Sequence, residues 1–200
     1  MTADPQRSFP SWDERYQQQT VETMPWFYPE LDDDLKQALG ANTAVLMLTQ
    51  VNFRTGAIHD MAALTAAAHA AGALAIWDLS HSAGAVPVDL NGARADFAIG
   101  CGYKYLNGGP GAPAFVYAAA RHQGRALQPL YGWFGHAAPF EFAADYVPAE
   151  GIRQYLCSTP SILALAALEE SVDLFAIRSA DGRAVEPLDV LEIASRNFAK

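Results

Sequence analysis

The chain has 200 residues, of which 51% are apolar and 18% charged, and this composition excludes a disordered protein. Its formal net charge of -9 argues against nucleic-acid binding, which needs a basic surface. Two cysteines are too few for a disulfide framework, so we expect a reducing, cytoplasmic compartment, with neither a signal peptide nor a membrane span.

The amino-terminal part of the chain is predicted to be an arm followed by the first strand and helix of a domain. Residues 1–42 are interrupted by prolines and predict a mostly irregular arm with one helix, over 30–39. The apolar run 43–49 does not alternate, which is typical of a strand buried on both faces. An alanine-rich helix over 60–71 follows, with Gly72 as its carboxyl-terminal cap.

The rest of the chain continues the alternation of strands and helices. Three further apolar runs predict buried strands, at 73–77, 95–100 and 114–117. A helix over 160–175 follows, with Thr159 placed to cap its first turn. This order predicts an α/β domain over 43–176, a three-layer sandwich with a mostly parallel sheet, and a helical extension over 177–200.

Polar side chains follow three of the predicted strands where each strand ends, and parallel sheets bind ligands at that edge. Thr49 ends the first strand, Asp78 ends the second with His81 three residues on, and Tyr103 and Lys104 follow the third. An apolar setting lowers the pKa of an amine, and a neutral lysine can form a Schiff base with a carbonyl. The set therefore suits pyridoxal 5'-phosphate, whose aldehyde a lysine holds and whose ring nitrogen pairs with a carboxylate.

Each of these residues also has a simpler interpretation. Lys104 alone is typical of a surface lysine in a tight turn, Asp78 of a carboxylate that caps the next turn, and His81 of a core histidine. The conjunction of an acid and a glycine-flanked lysine at neighbouring strand ends is what favours a cofactor site.

Residues 43 to about 175 resemble the kynureninases, which are pyridoxal phosphate enzymes of fold type I. The resemblance implies the large domain of that fold, in incomplete form. It depends on five motifs in order: LTQVNFRTG (48–56), IWDLSHSAGA (76–85), YKYLNGGPG (103–111), GWFGH (132–136) and YLCSTP (155–160).

The resemblance implies a role for each residue near the predicted sheet edge. Lys104 would bind the cofactor and later carry a proton, and Asp78 would be the partner of the pyridinium ring. His81 would lie against the cofactor or orient Asp78. Tyr103 would contact the phosphate and assist proton transfer, and Thr49 would also contact the cofactor.

Two more residues are implied to bind the cofactor from the neighbouring subunit of a homodimer, namely Trp133 and Thr159. The implied reaction, a step of tryptophan catabolism, is hydrolysis of the Cβ–Cγ bond of L-kynurenine or 3-hydroxykynurenine to an anthranilate and L-alanine.

The chain also departs from the kynureninase pattern. Kynureninases are longer, and neither their amino-terminal phosphate-binding and ring-stacking segment nor their carboxyl-terminal small domain has a match here. Gln50 stands where the family usually has histidine, and Ser158 where it usually has glycine. We therefore expect a truncated or rearranged cofactor domain.

Three other functions remain open from the sequence. The first is another enzyme of the same fold type, an aminotransferase or a cysteine desulfurase, although Cys101 and Cys157 are both expected in apolar surroundings. The second is a non-catalytic remnant of the fold. The third, a metal hydrolase built from His59, Asp78 and His81, is disfavoured because no HExxH spacing occurs, and we expect no metal.

Overall fold

The computed structural model describes residues 31–125, 129–157, 159 and 161–176. The predicted arm up to residue 30 and the extension over 177–200 lie outside these residues, and the domain boundaries at 42 and 176 stay predictions. The helices are α1 (Leu31–Ala38), α2 (Met61–Ala70) and α3 (Ile162–Asp173), and the strands are β1 (Val45–Thr49), β2 (Leu74–Asp78), β3 (Phe97–Cys101) and β4 (Ala114–Ala118). Short 3-10 turns occur at Trp133–Gly135, Pro139–Glu141, Gly151–Tyr155 and Leu174–Ala176. None of the described helices is both long and apolar enough to cross a lipid bilayer.

The four strands form one sheet in the order β1-β2-β3-β4. β1, β2 and β3 pair in parallel, and β4 pairs antiparallel to β3. This confirms the predicted α/β fold with a mostly parallel sheet. All four predicted strands are present, with ends shifted by one or two residues.

One face of the sheet packs against α2 and forms the core. Trp77 on β2 is 1% exposed, and its indole N–H donates a hydrogen bond of 3.0 Å to Thr65 Oγ1 on the helix. α2 begins where Asp60 accepts a hydrogen bond from Ala63 N, and it is followed by Gly72 with a left-handed φ of 81°. Both ends of this helix are therefore as predicted.

The opposite face of the sheet is largely exposed and apolar. The exposed fractions of its side chains are 45% for Val45, 55% for Met47, 38% for Leu74, 38% for Ile99 and 39% for Val116. The prediction that the first strand is buried on both faces is therefore wrong. Among the described residues, α2 covers only the other face, so two layers of the expected three-layer sandwich are present.

The last helix begins later than predicted and is capped differently. Ser161 occupies the N-cap position of α3, and no side chain caps the helix. The prediction that Thr159 caps it is wrong, because the Thr159 hydroxyl accepts a hydrogen bond from Trp133 instead. α3 packs through Leu168 against Gly102 and Gly108, in the loop that follows β3.

A buried carboxylate joins several elements at the edge of the sheet opposite the carboxyl ends of the parallel strands. Asp96 is 2% exposed and accepts hydrogen bonds from Ala75 N (2.8 Å), His69 Nε2 (2.8 Å), His122 Nε2 (2.6 Å) and Arg121 Nη2 (2.6 Å). Burial alone would raise the pKa of Asp96, but these donors outweigh it and hold the pKa far below its usual value of 3.8. The carboxylate is therefore charged in the folded chain and ties α2, β2 and the turn after β4 together.

We expect Asp96→Asn to lower the free energy of unfolding by about 3 kcal/mol, because the substitution replaces a buried charged acceptor of four hydrogen bonds by a neutral amide that cannot accept from all of them. Urea unfolding monitored by tryptophan fluorescence measures the loss. Asp33→Asn is the matched control, since Asp33 forms only an exposed ion pair with Lys36 and its loss should change stability little.

The stability of wild type and that of Asp96→Asn should also respond differently to acid. Because folding lowers the pKa of Asp96, its stabilising effect is present above the unfolded value of 3.8 and is lost as the pH falls below it. The stability difference between wild type and Asp96→Asn should therefore shrink in acid. A constant difference down to low pH would contradict this account.

Candidate active site

The parallel strands bring their carboxyl ends to one edge of the sheet. Thr49 and Asp78 are register partners at the ends of β1 and β2, and Asp78 is also paired with Ile99 on β3. β3 ends two residues later at Cys101, and Tyr103 and Lys104 follow after Gly102. Five of the predicted site residues thus lie at a single edge, with His81 in the turn after β2.

Lys104 contacts His81 directly, with 3.0 Å between Nζ and Nε2. Burial lowers the pKa of His81 below 6.5, the charge of Lys104 lowers it further, and Asp78 partly offsets both. The imidazole is therefore neutral at pH 7, and its Nε2 can accept a hydrogen bond from Lys104 Nζ. We expected an apolar setting for this amine; its nearest partner is instead an imidazole, and the Tyr103 ring lies 5.5 Å from Nζ.

Asp78 makes one local hydrogen bond and leaves one oxygen available. Its Oδ1 accepts from Ser80 N at 2.8 Å, so the turn-capping interpretation also holds. Within the described part of the chain, Oδ2 has no hydrogen-bond partner. Thr49 Oγ1 donates to the Val51 carbonyl at 2.9 Å, and Gln50 N donates to the Asp78 carbonyl at 3.0 Å. Gln50, which replaces the histidine usual in the family, therefore lies next to the site, and its side chain is buried.

The loop that carries Lys104 is held by close backbone packing. Asn107 has a left-handed φ of 56°, and its N–H donates to the Lys104 carbonyl at 2.9 Å. Gly102 lies so close to Pro113 that an added Cβ would come within 2.6 Å of the Pro113 carbonyl oxygen. From α3, Ser171 Oγ donates to the Leu106 carbonyl at 2.7 Å. The lysine therefore projects from a rigid support, as the glycine-rich turn predicts.

Phe53 is a site residue that the sequence reasoning missed. Its ring stacks on His81 with 5.8 Å between centroids and an angle of 28° between planes, although 68% of the side chain is exposed. The available signal was its place in the motif 48–56, which the resemblance had already singled out.

Trp133 and Thr159 form a separate cluster. The Trp133 indole N–H donates to Thr159 Oγ1 at 3.0 Å, and the ring packs against Phe134 and Phe140. Beside it is a cavity of about 340 Å³ lined in part by Tyr146. Within the described residues, neither Trp133 nor Thr159 forms a hydrogen bond or a ring contact with Lys104. The structure thus joins these two residues to each other and not to the other five.

We predict opposite shifts of the His81 pKa in two variants. Lys104→Met removes a positive charge, so the pKa of His81 should rise, whereas Asp78→Asn removes a negative charge, so it should fall. NMR titration of the imidazole signals in the cofactor-free chain measures both, with His136 as an internal control. Shifts of the same sign would show that the three groups do not interact as described.

Curated relatives of this chain are kynureninases. The kynureninase of Deinococcus radiodurans is 57% identical over 143 residues, which cover 72% of this chain and 35% of the relative. That of Pseudomonas fluorescens is 57% identical over 144 residues, with the same coverage. The chain thus spans about a third of the length of the curated relatives that it matches. These identities confirm the resemblance predicted from the five motifs.

Solved structures show the same fold at much lower identity. A cysteine desulfurase from Thermococcus onnurineus has a TM-score of 0.59 and 21% identity, and the match covers 71% of this chain and 34% of that protein. The cystine C-S lyase C-DES, in complex with cysteine persulfide, has a TM-score of 0.61 and 21% identity, with 72% and 38% covered. A variant of that lyase was solved with glycine covalently linked to its PLP cofactor.

The family model of aminotransferase class-V matches residues 16–186, which is most of the chain. The TM-scores of 0.59 and 0.61 show that this α/β fold is shared with those solved structures. On this match, the chain belongs to the aminotransferase class-V family.

Proposed function

We propose that this chain is the cofactor-binding part of a kynureninase and binds pyridoxal 5'-phosphate through Lys104 and Asp78. The observation that carries the proposal is the placement of an amine and a carboxylate at neighbouring strand ends, both within electrostatic reach of His81. The 57% identity to kynureninases supports the choice of enzyme class.

The residues at the sheet edge fit the cofactor chemically. The amine of Lys104 suits its aldehyde, and the available Oδ2 of Asp78 suits a protonated ring nitrogen. The hydroxyls of Thr49 and Tyr103 add polar groups of the kind that hold a phosphate. When bound, the cofactor supplies an electron sink for the carbanion that follows loss of the substrate's α-proton.

The chain's own residues then hold and move protons. Lys104 would take the α-proton of the substrate at Nζ and carry it through the reaction. Neutral His81 accepts a hydrogen bond from that nitrogen and so fixes its position. Tyr103, half exposed beside Lys104, has a phenol that can exchange a proton with the hydrated side-chain ketone of the substrate. The proposed reaction is hydrolysis of L-kynurenine or 3-hydroxykynurenine at the Cβ–Cγ bond, giving an anthranilate and L-alanine.

A second candidate is cysteine C–S chemistry, as in the desulfurase and the lyase that share the fold. One observation favours it: Cys157 is exposed, so the expectation that both cysteines lie in apolar surroundings is wrong for this residue. However, Cys157 packs at Gly132, next to Trp133, and therefore belongs to the second cluster rather than to the Lys104 site. We also propose a reducing, cytoplasmic compartment, because two cysteines are too few for a disulfide framework.

A homodimer is part of the proposal. The exposed apolar face of the sheet is the kind of surface that a partner covers. The separation of Trp133 and Thr159 from Lys104 also suits residues that serve the neighbouring subunit's site. We therefore expect self-association in sedimentation velocity, and a well-behaved monomer at low micromolar concentration would contradict the dimer.

We expect pyridoxal phosphate followed by borohydride to label Lys104. The amine is half-buried and held at the sheet edge, whereas Lys36 is an exposed helix residue 3.2 Å from Asp33. Peptide mass mapping locates the label, with Lys104→Met and Lys36→Met as the matched pair. Only the first variant should lose the labelled peptide.

The reaction is tested separately from cofactor binding. Release of anthranilate from L-kynurenine supports a kynureninase, and alanine formed from cysteine supports the second candidate. A chain labelled at Lys104 that does neither would be a binding remnant, and label spread over surface lysines would refute the cofactor site itself.

A further inference from the structure

Phe53 lies at the tip of a tightly held turn. Asn52 Oδ1 accepts from Arg54 N at 2.9 Å, and Gly56 N donates to the Asn52 carbonyl at 2.8 Å. The turn is closed at its base by a bridge between Val51 and Ile58. The backbone that carries the phenyl ring is therefore fixed, even though the ring itself is mostly exposed.

The exposed ring of Phe53 contacts one residue of the candidate site, His81. An exposed phenylalanine contributes little to the core, and 68% of this side chain remains in solvent. Its stacking contact is with His81, and the Arg54 guanidinium carbon lies 5.5 Å from the centroid of the same ring. The Phe53–His81 contact therefore orients the His81 imidazole and adds little to the hydrophobic core.

The orientation of that imidazole determines where the lysine amine lies. His81 turns about two side-chain bonds, and in the stacked orientation that the structure shows, its Nε2 lies 3.0 Å from Lys104 Nζ. The lysine side chain is long and has four rotatable bonds, so a hydrogen bond at its end restricts it more than its own backbone can. Phe53, His81 and Lys104 thus form a chain of contacts that leads from the turn to the amine.

We propose that Phe53 is a positioning residue for Lys104, holding the His81 ring so that Nε2 keeps the lysine nitrogen where it reacts with the cofactor aldehyde. This inference rests on the proposed function. In the reaction, the Lys104 nitrogen bonds to the aldehyde carbon in place of the carbonyl oxygen, and that oxygen leaves as water with two protons from the nitrogen. Holding the nitrogen in place raises the rate of this step, because less motion must be arrested at the moment of attack.

Several charged and titratable groups near His81 affect its pKa, so a test of the Phe53 contact must leave them unchanged. Lys104 and Asp78 act on it directly and in opposite directions, and Tyr103 faces Lys104 from the same loop. Phe53 carries no charge, so a substitution there changes none of these groups. Any change in the behaviour of His81 or Lys104 must then come from the loss of the Phe53 ring, which contacts His81 and also lies 5.5 Å from the Arg54 guanidinium carbon.

The test compares Phe53→Leu, Phe53→Tyr and a control, Leu163→Ala, in the full chain. Leu163 is 85% exposed on α3 and serves as a matched loss of an exposed apolar side chain. Two quantities are measured: the His81 pKa by NMR in the cofactor-free chain, and the initial rate of Lys104 labelling by pyridoxal phosphate and borohydride. Phe53→Leu should raise the His81 pKa, because the imidazole becomes more solvated and moves away from Lys104, and should slow labelling about tenfold.

The other variants complete the test. Phe53→Tyr keeps the ring and should restore both values, and Leu163→Ala should match wild type. A Phe53→Leu chain that is labelled as fast as wild type overturns the positioning role, whatever its His81 pKa. An unchanged His81 pKa in Phe53→Leu also overturns the positioning role of Phe53, but leaves the proposed function intact. A wild-type chain that is not labelled at Lys104 overturns the proposed function itself.

Discussion

The parallel pairing of β1, β2 and β3 is the constraint on which the rest of the structure depends. Parallel strands end on the same side, so their last residues meet even though they are far apart in sequence. The register pairs Thr49 with Asp78, and Lys104 follows the third strand. The sheet register is therefore what brings these residues to one edge of the sheet.

The helical layer and the buried carboxylate maintain that register. α2 crosses from β1 to β2, and its Thr65 contacts the indole of Trp77 in the middle of the sheet. At the opposite edge, Asp96 binds donors from α2 and from β2. A one-residue slip of β2 would break both contacts and turn Asp78 to the other face. The geometry of the cofactor edge thus depends on contacts that lie well away from it.

The elements that follow from local sequence patterns could be predicted, whereas the burial and side-chain contacts that depend on residues distant in sequence could not. The strands and α2 were found because apolar runs and the caps Asp60 and Gly72 are local signals. Two-sided burial of β1 could not be read from its composition, since an apolar run has the same appearance whether one face or both are covered. The Thr159 hydroxyl accepts a hydrogen bond from Trp133, which lies 26 residues away, instead of capping the helix. The stacking of Phe53 on His81 likewise joins residues that are distant in sequence.

The alternation of side chains along the strands links the open sheet face to the cofactor edge. Val45 and Met47 point to the same side as Thr49, and Leu74 points to the same side as Asp78, because residues two apart share a face. Whatever covers those apolar side chains must also border the space above Asp78. If a second copy of the chain covers them, as proposed above, self-association and cofactor affinity are linked: a cofactor that strengthens self-association by some factor is itself bound more tightly in the dimer by the same factor.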